Sequence, residues 1–119
     1  MSEWKIVYYN NNRGEKVVME EILSFGLKNS AEIFHTIDLL NRYGVVLTGR
    51  HIKHIEDKLW ELRIDRYRVL YFAFRNKTFV MLRCFIKKTN KTPRKEINLA
   101  MHRLDDYIFR TGDEYEKTK

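Results

Sequence analysis

Cysteine, proline, glycine and long apolar runs are all scarce in this chain, and each scarcity removes a class of protein. A single cysteine, Cys84, in 119 residues rules out an internal disulfide, and its place inside an apolar run makes a buried thiol the plain reading. The 5 glycines are scattered, so no glycine-rich loop stands ready to cradle a nucleotide phosphate. The longest apolar stretches, 69–74 and 79–82, fall far short of the roughly 20 residues that a spanning helix needs, so no membrane partner is expected. No second cysteine or close set of histidines and carboxylates completes a coordination shell, so neither a metal nor a cofactor is expected. The opening Met1-Ser2-Glu3-Trp4-Lys5 lacks the basic-then-apolar profile of a secretory leader, which leads to the expectation of a cytoplasmic protein.

What the chain has in quantity is positive charge, unevenly placed. The net charge is +7, yet residues 50–95 alone carry 14 lysines and arginines against 4 acids, a net +10, while the remainder is net −3. Segregated basic charge builds a field that draws polyanions, nucleic acid foremost and an acidic protein segment second. A merely solvated surface is the bland alternative, although such surfaces usually mix their signs. Hydrophobic residues at 44% and charged residues at 33% are ordinary globular material. The length suits one domain, read here as 1–110, followed by a polar and frayed tail at 111–119.

The residue pattern sets out the elements. Trp4 to Tyr9 is β-branched and aromatic and precedes the turn-forming Asn10-Asn11-Asn12-Arg13-Gly14, which predicts a first strand. Val18, Ile22 and Phe25 recur at helical spacing over Glu15 to about Lys28. Asn29 or Ser30 then caps a second helix with the stripe Ile33, Phe34, Ile37 and Leu40, ending at Gly44. Past a loop through Thr48-Gly49-Arg50, three β-rich segments follow at Leu59–Ile64, Tyr67–Phe74 and Thr78–Ile86, joined by hairpin-length links, Asp65-Arg66 and Arg75-Asn76-Lys77. Thr92 as N-cap and Pro93 in the first turn open a last helix, whose buried face is Ile97, Met101, Leu104 and Ile108, running to about Arg110. The order β-α-α-β-β-β-α describes an α+β domain, a small antiparallel sheet packed by helices. Strand alternation sends Trp60, Leu62 and Ile64 toward the helices and leaves Glu61 and Arg63 on the open face.

Three stretches resemble a known family. Leu59-Trp60-Glu61-Leu62-Arg63, Tyr67-Arg68-Val69-Leu70-Tyr71 and Phe85-Ile86-Lys87-Lys88-Thr89-Asn90-Lys91-Thr92-Pro93-Arg94-Lys95-Glu96-Ile97 are similar to the phage-derived, HigB-like branch of the RelE/ParE toxin superfamily. His51-Ile52-Lys53-His54-Ile55 is similar to it too. The resemblance implies a RelE-like fold and a type II toxin, a ribosome-dependent messenger-RNA endoribonuclease. It also implies a cognate antitoxin with a helix-turn-helix domain, and promoter DNA bound only through the toxin–antitoxin complex. It places Arg68 in the site, with Arg63 on the preceding strand and the basic pair Lys87 and Lys88 after the last one. Some relatives use a tyrosine or histidine near the C-terminal helix; this chain has Thr92-Pro93-Arg94-Lys95 there, which leaves the general acid and base unassigned.

The residue types fit that chemistry. Attack of a ribose 2′-hydroxyl on the adjacent phosphate needs a proton acceptor, a proton donor for the leaving oxygen and positive charge for the phosphorane. Arg63 and Arg68 suit the last role, because a guanidinium stays charged and forks onto two phosphate oxygens. A lysine crowded by cations loses its proton more readily, which makes Lys87 or Lys88 a candidate for proton transfer. Lys53, His54, Arg66, Tyr67, Lys91, Arg94 and Lys95 are candidates for contact with RNA or ribosome, His54 through its titratable ring and Tyr67 as an aromatic available for base stacking. Solvated surface arginines, lysines that only hold phosphates and a loop histidine without a role are the alternatives. At the level of the whole chain, a ParE-like inhibitor of DNA gyrase and a non-toxic basic binding module remain open.

Overall fold

The three β-rich segments pair as their alternation predicts, and they organise the rest of the molecule. A computed structural model describes residues 4–43, 51–75 and 77–118. Its elements are β1 (Lys5–Tyr8), α1 (Val17–Leu23), α2 (Leu27–Tyr43), β2 (Ile52–Glu56), β3 (Leu59–Ile64), β4 (Tyr67–Phe74), β5 (Thr78–Ile86) and α3 (Arg94–Thr118). The sheet order is β1-β5-β4-β3-β2. The expected bounds of β3, β4 and β5 are the observed ones. Gly44, the loop Thr48-Gly49-Arg50 and Asn76, to which the sequence assigns a helix end and turns, lie outside the described residues.

Two features extend the expected sheet. β1 runs parallel to β5, with Ile6 beside Phe79 and Tyr8 beside Met81, so the sheet is mixed and not wholly antiparallel. The stretch containing His54, read as a basic loop, is strand β2, paired antiparallel with β3 at the sheet edge. Its residues Lys53 and His54 are both exposed, so it shows no apolar alternation, which is how edge strands avoid unwanted pairing.

The helices also depart from expectation in three places. The first ends at Leu23, because Gly26 takes φ 91°, a left-handed turn that glycine enters without cost. α2 therefore starts before Asn29 and Ser30, which bond back to the carbonyls of Phe25 and Leu27 instead of capping. Thr92 does not cap α3; its hydroxyl donates to Glu61, and the carbonyl of Pro93 accepts the first helical N–H groups, those of Glu96 and Ile97. Nor does α3 stop near Arg110: 111–118, read as a frayed tail, continues it to Thr118, consistent with a proline-free sequence in which Glu114, Glu116 and Lys117 are strong helix formers.

Helices cover both faces of the sheet. On one face Phe25, just past α1, packs on Tyr67, and Phe34 of α2 packs on Tyr8. On the other face Tyr107 of α3 sits edge-on to Phe72 and Phe74. The register slips between Leu70 and Tyr71, whose partners are Arg83 and Met81, leaving Leu82 as an extra residue on β5. That bulge lets Val80 and Arg83 share the α3 face although they are three apart. Leu62 and Ile64 are buried as expected, whereas Trp60 is 37% exposed and rests against His54 of the edge strand.

Candidate functional site

The end of the sheet that α3 leaves uncovered carries the basic residues. On β3 and β4 Arg63 and Arg68 are direct cross-strand partners, which puts both on the α3 face. The tight turn between the strands has Asp65 at φ 52°, a left-handed position that a short polar residue tolerates. Arg68 Nη1 donates to the carbonyls of Asp65 (2.6 Å) and Tyr67 (2.8 Å), so the turn itself fixes that guanidinium. Arg66 is exposed at the same turn, and its carbonyl accepts the Lys87 N–H at 2.8 Å, tying the end of β5 to it.

Beneath the arginines lies Glu61, 0% exposed in mid-strand. Its Oε1 stands 3.5 Å from Arg63 Nε and 3.8 Å from Arg68 Nε, and its Oε2 accepts the Thr92 hydroxyl. The side chains of Arg63 and Arg68 are 34% and 15% exposed, so both still reach solvent. Arg68 Nε is the single buried side-chain polar atom without a hydrogen-bond partner among the described residues. Burial lowers the Arg68 pKa and the charge of Arg63 adds to this, against the pull of Glu61 and Asp65.

Lys87 joins this group. Burial, first, and then the charges of Arg68, Arg63 and Lys53 push its pKa below the usual lysine range, while Glu61 opposes them. Lys53 reaches the cluster because its partner on β3 is Glu61, so it shares that face. Lys88 does not join: it is exposed and lines a separate recess with Phe25, Arg83 and Lys95, since adjacent residues at a strand end point to opposite sides. His54 pairs with Trp60, one step out of phase with Lys53, and its Nε2 lies 2.7 Å from the Asp57 carbonyl; it faces away from the arginines.

The remaining candidates divide. Tyr67 is only 8% exposed and packs on Phe25, so it offers no stacking surface; alternation puts it with the core while Arg68 points out. Arg94 is held by Glu56, both Nη atoms lying 2.7 Å from one carboxylate oxygen. Lys91 and Lys95 are exposed, Lys95 in the recess beside Lys88. Sequence reasoning put Glu61 on the open face without giving it a part in the site, and took Thr92 for a cap. The legible signal was an acid inside an apolar strand, two residues before an arginine and so on its side of the sheet.

As a whole the cluster offers two guanidiniums that still reach solvent, that of Arg68 with Nη1 already held by carbonyls, and a lysine whose pKa is lowered. That set suits a phosphodiester: charge for the phosphate and a base for a nearby hydroxyl.

Comparison with known proteins agrees with this architecture. Residues 20–105 match the family model described as phage derived protein Gp49-like (DUF891). Among solved structures the chain is similar to one in the crystal structure of the toxin–antitoxin complex RelBE2 from Mycobacterium tuberculosis, with 16% sequence identity, a TM-score of 0.55, and coverage of 71% of this chain and 99% of that one. The RelE-like fold is therefore shared. No curated protein matches the chain.

Proposed function

The chain belongs to the phage-derived Gp49-like family, and from that membership and its RelE-like fold we propose that it is the toxin of a type II toxin–antitoxin pair, a HigB-type endoribonuclease that cuts messenger RNA on the ribosome. The observation that carries this reading is the juxtaposition of Arg63, Arg68 and Lys87 on one open face. In the proposed reaction the two arginines hold the scissile phosphate and meet the charge of the phosphorane, worth far more in a partly desolvated site than in water. Neutral Lys87 takes the proton of the 2′-hydroxyl. The general acid for the leaving 5′-oxygen has no assigned residue, and no step requires a metal. Lys53, Arg66 and Lys91 serve as phosphate contacts along the path of RNA, and Lys88 and Lys95, in the separate recess, serve as peripheral contacts and not in the chemistry.

The proposed partners follow from the same reading: ribosome and message in action, an antitoxin that covers the basic face at rest, and promoter DNA through the complex only. Among the described residues no helix is long and apolar enough to cross a membrane, and the proposed place of action is the cytoplasm. Primer extension on messages after induction tests the activity. New 5′ ends at the onset of growth arrest are expected; arrest without new ends, accompanied by DNA-gyrase inhibition, overturns the nuclease reading in favour of a ParE-like one.

The role of Lys87 gives a pH prediction. A lysine is a base only when neutral, and its pKa here is lowered, so single-turnover cleavage by programmed ribosomes rises with pH up to that pKa and levels above it. Lys87→Met is expected to cut the rate about 100-fold, within the range for a lost acid-base group, and to remove that rise. A Lys87→Met protein with the parent's pH profile refutes the assignment.

A further inference from the structure

Glu61 is costly where it stands. A carboxylate with no exposure, inside a strand between Trp60 and Leu62, loses its hydration, a large penalty unless cations and hydrogen bonds offset it. Well-packed apolar residues in place of buried ion pairs are often neutral or stabilising, so stability alone does not call for an acid here. The geometry supplies a different reason. Arg63 and Arg68 stand directly opposite each other across two strands, and like charges so placed repel. Glu61 Oε1 accepts a long hydrogen bond from Arg63 Nε at 3.5 Å and lies 3.8 Å from Arg68 Nε, beyond hydrogen-bond reach. It therefore balances the pair while binding Arg63 weakly and Arg68 through charge alone. Its other oxygen holds Thr92, two residues before α3.

We propose that Glu61 is a positioning residue of the RNA-cleaving site, a buried carboxylate that holds Arg63 and Arg68 side by side, Arg68 with Nη1 on the Asp65 and Tyr67 carbonyls and Nη2 left for phosphate, and pins the start of α3 through Thr92. It touches no substrate. The inference rests on the nuclease reading for its effect on cleavage, but the arrangement of the arginines is measurable without it. Removing the negative charge leaves a more cationic but looser cradle, so binding and chemistry move in opposite directions. A general loss of folding moves both the same way.

The test compares the parent with Glu61→Gln, which keeps an acceptor for Thr92, and with Thr92→Val and Thr92→Ser. RNA binding is read with a message carrying a 2′-deoxy residue at the cleavage position, and chemistry by single-turnover cleavage. Glu61→Gln is expected to bind as tightly as the parent or tighter, and to cleave about 10- to 100-fold more slowly, as misplaced groups do. Its pH–rate limb moves to lower pH. Lys87 is faced by Glu61 and Arg63 from β3, Arg68 from β4 and Lys53 from β2, and only Glu61 among them favours its ammonium. Thr92→Val is expected to slow cleavage and Thr92→Ser to restore it. In nitrogen-labelled protein, the Nε–H signals of Arg63 and Arg68 are expected to shift and broaden in Glu61→Gln. Parent-like cleavage and pH limb in Glu61→Gln, or binding and cleavage lost in proportion, overturn the proposal. A parent that cuts no message defeats the nuclease reading instead; the arginine signals then decide alone, and unchanged signals in Glu61→Gln reject the positioning role.

Discussion

Arg68→Ala is expected to abolish growth arrest and to lower message cleavage by about 100- to 1,000-fold, the usual loss when one preorganised donor to a transition-state charge is removed. Arg68 is the better placed of the two arginines, since the carbonyls of Asp65 and Tyr67 fix it and its side chain keeps 15% exposure. The substitution also removes those two hydrogen bonds, at about 1 kcal/mol each, and one of the two cations beside buried Glu61, so its thermal melt is expected to stay cooperative but to be lower. Arg68→Lys keeps a charge but loses the planar fork, and is expected to fall between the two. A folded Arg68→Ala protein that arrests growth like its parent removes Arg68 from the site.

The second large effect is on stability and has another centre. Glu21, on α1, meets Arg83 of β5 at 2.8 Å and Arg103 of α3 at 2.9 Å through Oε2, and its Oε1 accepts the Cys84 N–H at 3.0 Å. One carboxylate thus joins both helical layers to the sheet. β1 pairs with β5 only as far as Met81, so Glu21 supplies the partner that Cys84 lacks beyond it. Glu21→Ala leaves a buried N–H unpaired and two mostly buried guanidiniums with less compensation. The expected cost is about 3 kcal/mol, or a melting temperature lower by about 10–15 °C in a domain of this size. Glu21→Gln keeps an acceptor for Cys84 and is expected to lose less. Cleavage below the melt is expected to be near that of the parent, since Glu21 is not among the groups around Arg63 and Arg68; a Glu21→Ala protein that melts with the parent would show the network to be dispensable.

The two effects fall on different halves of the sequence's legibility. β3, β4 and β5 were readable to the residue because their apolar positions and two short links leave one register that buries Leu62, Val69 and Cys84 together. β2 was not, because an edge strand with exposed Lys53 and His54 has no apolar period to detect. The break between the first two helices was expected at about Lys28 and lies nearer Gly26, because Phe25 keeps the helical spacing beyond Leu23 and Asn29 and Ser30 are residue types that cap. In the candidate site, the place of Arg63 on the face opposite Leu62 and Ile64 was foreseeable from parity, whereas its pairing with Arg68 needed the register, and Lys87 separated from Lys88 only once the direction of the strand end was known. Tyr67 and Trp60 exchanged their expected places because burial of an aromatic depends on which element lies over it, and no local pattern states that.

By itself, then, the chain determined that three consecutive strands would form, which sides of them would be apolar, and that the basic residues would crowd one region: these follow from side-chain alternation and short turns, which act over a few residues. Tertiary structure decided that β1 adds in parallel, that α3 leaves one end of the sheet open, and that an acid lies beneath two arginines with a threonine from 31 residues away closing over it. Those outcomes depend on contacts between distant segments, whose free energy is set by packing and desolvation in the assembled fold.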